Sequence, residues 1–143
     1  MRSKELQMHK LKIPKDIFVR MVEQARVEAP IEACGILAGS GGKVEKLYTM
    51  TNVDRSSDHF MMAPEEQFAV VKDLRSMSLE MLAIYHSHPE TPARPSAEDV
   101  RLALTPDVMY VIVSLQDGDV PVVKGFLIEE SNIVTVTVEI VEE

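Results

Sequence analysis

A mixed α/β fold, one sheet with helices packed against it, follows from three features of the amino-acid sequence. Helical and strand periodicities alternate along the whole chain instead of separating into halves. Residues 108–113 are an almost unbroken apolar run, the pattern of a central strand covered on both faces. Two stretches after Pro14 and Pro64 carry apolar residues three to four apart, giving each helix one buried stripe. With 143 residues, 45% of them apolar and 27% charged, one globular domain spanning residues 1–143 is expected.

Residues 11–13 read as a short strand, and Pro14 suits the first turn of a helix, where its missing N–H would be unpaired anyway. Ile17, Phe18, Met21, Val22 and Ala25 give that helix its buried face, and Pro30 ends it. Residues 33–39 and 43–48 flank Ser40-Gly41-Gly42 and form a hairpin. A polar loop at 52–58 and a strand fragment at 60–62 lead to Pro64-Glu65-Glu66, an acidic helix start favoured by the helix dipole. Phe68, Val71, Leu74 and Met77 are the expected stripe of this helix. Residues 81–85 form a strand ended by Pro89, the three prolines of 89–95 impose a loop, and 96–104 read as a helix. The central strand at 108–115, a turn at 116–119 and strands at 122–128 and 133–141 complete the chain.

Composition narrows the function. The net charge of −8 opposes a polyanion, so nucleic acid is not an expected partner, and Lys10, Lys12, Lys15 and Arg20 read as a solvated face. No apolar run approaches the roughly 20 residues of a membrane span. Residues 1–12 lack the apolar core and cleavage site of a secretion signal, so a cytoplasmic location is expected. Cys34, the single cysteine, cannot form an internal disulfide and reads as a small buried residue rather than a nucleophile. His9 and His59 have no partner that the sequence identifies.

The informative segment is His86-Ser87-His88-Pro89, then six residues, then Ser96-Ala97-Glu98-Asp99. On a strand, side chains two apart point the same way, about 6.5–7 Å apart, and both imidazoles can reach one ion at about 2.0–2.1 Å. The proline-rich loop lets the chain turn back and bring Asp99 in as a third ligand. Two imidazoles and a carboxylate suit zinc, and three protein ligands leave a fourth position for water, the mark of a catalytic rather than a structural site. Hydrolysis then needs a general base, and Glu32, projecting from the sheet edge at the entrance to an apolar strand, is the candidate. Ser96 can donate a hydrogen bond to an oxyanion. It also opens a capping box with Asp99, and the two roles are compatible because a carboxylate has two oxygens.

Glu32, His86-Ser87-His88-Pro89, Ser96 and Asp99 reproduce the pattern E…H-S/T-H-P-x6-S-x2-D, and with both fixed spacings intact the chain resembles the JAMM (MPN-plus) metalloproteases. The likeness runs from about residue 11 to 141 and includes Glu32-Ala33-Cys34-Gly35-Ile36-Leu37-Ala38-Gly39 and Tyr110-Val111-Ile112-Val113-Ser114-Leu115. It is similar to the short, free-standing prokaryotic branch, whose bacterial members resemble a peptidase releasing cysteine from a small sulfur-carrier protein. The resemblance implies a cytidine-deaminase-like three-layer α/β/α fold with a mixed, curved sheet. It also implies one zinc held by His86, His88 and Asp99, with Glu32 as acid/base and Ser96 as oxyanion partner. The implied substrate is an amide bond after the C-terminal Gly-Gly of a ubiquitin-like or sulfur-carrier protein, and the family leaves room for a homodimer.

Two other readings compete. A catalytically silent MPN-type binding scaffold shares the fold, but silent members lack the ligands present here. A zinc deaminase would need cysteine ligands in a P-C-x-x-C signature, which one cysteine cannot supply.

Overall fold

The computed structural model describes residues 10–142. The elements run β1 (Lys10–Pro14), α1 (Lys15–Glu28), β2 (Cys34–Ser40), β3 (Lys43–Met50), α2 (Pro64–Ser76), β4 (Glu80–His88), α3 (Ala97–Arg101), β5 (Met109–Ser114), β6 (Val122–Glu129) and β7 (Asn132–Val141). His9 lies outside the described residues. No helix among them is long and apolar enough to cross a membrane.

The strands form one mixed sheet in the order β1-β3-β2-β4-β5-β6-β7, and β7 returns to β1 to close the ring. β4 pairs in parallel with β5, while β2 is antiparallel to both β3 and β4. The closing strand β1 runs parallel to β7 along its length, from Lys10 opposite Thr137 to Pro14 opposite Val141. Its other side meets β3 only where Lys12 lies opposite Lys43, with the Lys12 N–H donating to the Gly42 carbonyl at 2.8 Å. The layered arrangement implied by the resemblance does not include this closure. Helices do cover two faces of the sheet: α1 packs Ile17, Met21 and Val22 against Leu37, Ala83, Tyr85 and Val111. On the opposite face, Val70 and Leu74 of α2 meet Cys34, Ile36 and Ala38.

Alternation explains how one strand serves both cores. In β2, Leu37 faces α1 while Ile36 and Ala38 face α2. Every residue of β5 is buried, as its apolar run requires. Tyr85 fills the α1 side of β4, and its hydroxyl donates to Gln24 Oε1 at 2.6 Å. The Gln24 amide in turn donates to the Cys34 carbonyl at 3.0 Å, tying the helix to the start of β2.

Several boundaries differ from the sequence reading for identifiable reasons. Pro14 caps α1 from outside instead of occupying its first turn, because it still belongs to β1. In α2 the buried residues are Val70 and Leu74, whereas Phe68 is 67% exposed and Met77 41%. A strict three-residue series slips about 60° per step around a helix, so it cannot stay on one face, and Phe68 instead packs beneath the ammonium of Lys72. Residues 60–62 form no strand, only a bridge between Met62 and Asn52. The helix expected at 96–104 shortens to α3. β4 runs on through both histidines because β5 pairs with it as far as His88 opposite Ser114.

Gly35 is required by packing, since a Cβ there would overlap the Tyr85 ring. Gly35→Ala should lower stability by about 1–3 kcal/mol, the usual cost of overpacking, read as a reduced urea midpoint. Gly118→Ala, where open space surrounds the glycine, should leave the midpoint unchanged; equal effects at both positions would remove the packing explanation.

Candidate metal centre

The site forms where β2 begins and β4 ends. Ile84, His86 and His88 alternate onto the face opposite Ala83 and Tyr85, and the antiparallel register sets Cys34 across from His86. Continuing that register two residues brings Glu32 beside His88 on the same face. The join is clasped by Ser87, whose N–H donates to the Ala33 carbonyl at 2.9 Å and whose Oγ accepts the Ala33 N–H at 2.8 Å. On the other side, the Leu115 N–H donates to the His88 carbonyl at 3.0 Å. Both histidines and Glu32 are buried.

The loop of 89–95 folds back as expected and α3 carries Asp99 over the histidines. Asp99 Oδ1 lies 3.1 Å from His86 Nε2, Asp99 Oδ2 lies 2.9 Å from His88 Nε2, and the two Nε2 atoms are 3.2 Å apart. Different oxygens of Asp99 face the two imidazoles, and each of these separations lies slightly inside the about 3.3–3.4 Å between donors that stand about 2.0–2.1 Å from a tetrahedral ion. The ligand atoms of Glu32, His86 and His88 also lie within 4.8 Å of one another.

Hydrogen bonding makes a stronger test of fit. His88 Nδ1 is 2.8 Å from the Pro92 carbonyl, which can only accept, so that nitrogen carries the proton. In the neutral ring, Nε2 then presents a lone pair toward the Asp99 carboxylate and the other imidazole. The carboxylate and the two imidazoles that face it are balanced by positive charge between them, which a bound cation or protons carried on the Nε2 atoms supply. The protonation preferences agree: burial works against a charged His88, but Asp99, the Pro92 carbonyl and Glu32 outweigh it and raise its pKa. Burial lowers that of His86, despite Asp99. Burial also opposes ionisation of Asp99, yet hydrogen bonds from both histidines and the Ser96 N–H hold it well below the usual carboxylate range.

Glu32 does not project from a sheet edge, as the sequence suggested. It precedes a strand flanked on both sides, by β3 and β4, and is only 2% exposed. Its Oε1 is buried with no hydrogen-bond partner among the described residues. Burial pushes the carboxyl up to about 8, with Asp99 and Asp58 adding to the rise and His88 opposing it. Ser96 heads α3 in a complete capping box: its Oγ accepts the Asp99 N–H at 3.1 Å, and Asp99 Oδ2 accepts the Ser96 N–H at 2.9 Å. Accepting leaves the hydroxyl proton of Ser96 free to donate elsewhere. Cys34 is fully buried, and burial raises its thiol to about 12, which keeps it an inert thiol.

Three neighbours were not singled out by sequence. Phe60 stacks on His86 with ring centroids 4.8 Å apart. Buried Asn52 donates to the Glu32 and His59 carbonyls, both at 3.0 Å. His59, which seemed partnerless, is held by Asp58 at 3.0 Å and Asp54 at 3.1 Å.

The raised Glu32 carboxyl carries a stability signature in chelator-treated protein. Between the ordinary value of 4.5 and about 8 the folded state keeps a proton that the unfolded chain has released. The contribution of Glu32 to stability therefore falls as pH rises through that window, and Glu32→Gln should flatten the decline in urea midpoint. A variant whose decline matches wild type would show that Glu32 is not the buried acid responsible.

Comparison with known proteins identifies the family of the chain. The family profile for prokaryotic homologs of the JAB domain matches residues 14–125. The CysO-cysteine peptidase of Mycobacterium tuberculosis is 36% identical over 135 residues, covering 93% of this chain and 92% of that protein. A probable TtuB-protein conjugate cleaving protease of Thermus thermophilus is 38% identical over 112 residues, 78% of this chain and 71% of that protein. The solution structure of a Desulfitobacterium hafniense protein superposes with a TM-score of 0.85 at 43% identity, covering 93% and 94% of the two chains. A profile matched over most of the length, and relatives covered almost end to end, lead to one conclusion: the chain belongs to the prokaryotic family of JAB-domain homologs.

Proposed function

We propose that the chain is a zinc-dependent peptidase or isopeptidase that hydrolyses the amide bond after the C-terminal Gly-Gly of a ubiquitin-like sulfur-carrier protein. The single observation carrying this reading is the convergence of His86 Nε2, His88 Nε2 and the Asp99 carboxylate within 2.9–3.2 Å, beside a buried carboxylate oxygen of Glu32 that has no partner. The substrate class is supported by the relatives, a CysO-cysteine peptidase and a probable TtuB-conjugate protease. The cytoplasm is the compartment we assign, on the strength of a lone, buried Cys34.

His86, His88 and Asp99 would hold the ion, and the donor set of two nitrogens and one carboxylate favours zinc over harder cations. When bound, zinc supplies Lewis acidity to the scissile carbonyl and to attacking water. Glu32 accepts the proton of that water through its unpartnered oxygen and returns it to the leaving amine. Ser96 donates its free hydroxyl proton to the oxyanion while its Oγ continues to cap α3. The Pro92 carbonyl holds the His88 ring in the tautomer that directs Nε2 inward.

Glu32→Gln should lower turnover of a carrier-Gly-Gly-X conjugate by at least about 10²–10⁴-fold, the typical share of a general base, while zinc content stays at about one per chain. Full activity in this variant would reassign the base. Asp99→Ala should lose both zinc and cleavage, as read by metal analysis of the purified protein; retention of stoichiometric zinc would exclude Asp99 as a ligand. Wild-type protein that carries zinc yet cleaves no Gly-Gly conjugate would overturn the substrate assignment.

A further inference from the structure

The two histidines are held by different means. His88 is fixed by a hydrogen bond from Nδ1 to the Pro92 carbonyl, the usual device for orienting a metal-binding imidazole. His86 has no such bond: its Nδ1 is buried and without a hydrogen-bond partner among the described residues. What lies against it is Phe60, with centroids 4.8 Å apart and ring planes inclined by 24°.

Phe60 sits in the connection between β3 and α2, which has no regular structure beyond the bridge joining Asn52 to Met62. One buried side chain shapes this connection. The Asn52 amide donates to the His59 carbonyl at 3.0 Å, and its Oδ1 accepts the Met61 N–H at 3.1 Å, gripping the backbone on both sides of Phe60. The same side chain accepts the Asp54 N–H at 3.2 Å and donates to the Glu32 carbonyl at 3.0 Å. A bond from the Val53 N–H to the Met61 carbonyl, at 2.9 Å, closes the loop. The aromatic ring is therefore delivered by the element that also anchors the backbone of Glu32.

We propose that Phe60, held by the Asn52-centred loop, is a positioning residue of His86: stacking sets the plane of an imidazole whose Nε2 faces Asp99 and His88 but whose Nδ1 has no hydrogen-bond partner among the described residues to fix it. This rests on the reading of the site as a metal centre. A ring free to twist must be ordered each time an ion binds, so losing the flat partner weakens metal binding even when all three ligands remain. Phe60 is half-buried at the rim of the α2 core, so a leucine can fill its space without supplying the aromatic face.

The test is zinc affinity of the purified chain, measured by competition with a chromophoric chelator. Phe60→Leu should bind zinc about 10–100-fold more weakly, as loss of a ligand-orienting partner does, with a urea midpoint close to wild type; Phe60→Tyr, which keeps the ring, should retain wild-type affinity. In chelator-treated wild type, the His86 ring protons should show the upfield NMR shift of a stacked aromatic, lost in Phe60→Leu. Wild-type affinity in Phe60→Leu, or no upfield shift in the parent chain, overturns the inference alone. A parent chain that binds no zinc overturns the metal-centre reading and this inference with it.

Discussion

The antiparallel register of β2 against β4 is the constraint on which the rest of the site depends. With Cys34 opposite His86, the parity of the pleat sends Glu32, His86 and His88 to one face, and a slip of one residue would send one strand's contribution to the other. The register is secured from both sides. Ser87 clasps Ala33 through its backbone and its hydroxyl, while Tyr85 occupies the space that Gly35 leaves open. Ser87 thus has a structural use between the two histidines although its side chain is not one of the converging donors.

The acidic and basic groups meeting at this point would be costly to bury if each were considered alone. Together they compensate: the Asp99 carboxylate is stabilised by two imidazoles and a helix N-terminal N–H, and the imidazole of His88 by Asp99 and the Pro92 carbonyl. Glu32 stands apart in having an oxygen with no partner. A buried carboxylate left in this condition is poorly suited to stabilising a fold and well suited to handling a proton, which separates its chemistry from that of the neighbouring acid.

Much of the site could be read from the sequence because its rules are local. The two-residue spacing of His86 and His88, the capping box of Ser96 and Asp99 and the turn at Ser40-Gly41-Gly42 depend on nearby residues only, and each occurs as read. What escaped was set by distant partners. The end of β4 is defined by β5, the burial of Glu32 by flanking strands, and the outward turn of Phe68 by where α2 lies on the sheet. Asn52 is one polar residue among many in its loop until the three-dimensional arrangement reveals that its amide bridges Glu32 and His59. The ring closure involves the two most widely separated strands, and periodicity carries no information about which strand edges will meet.

That closure bears on how the molecule is made. β1 finds nearly all its pairing in β7, the last of the described strands, and touches β3 only at Lys12. During synthesis the first strand therefore emerges long before its main neighbour exists, and the hairpin of β2 and β3 can form first, because its contacts are close in sequence. Until β7 has been made, β1 lacks its main pairing partner, so loss of β7 would strike β1 as well.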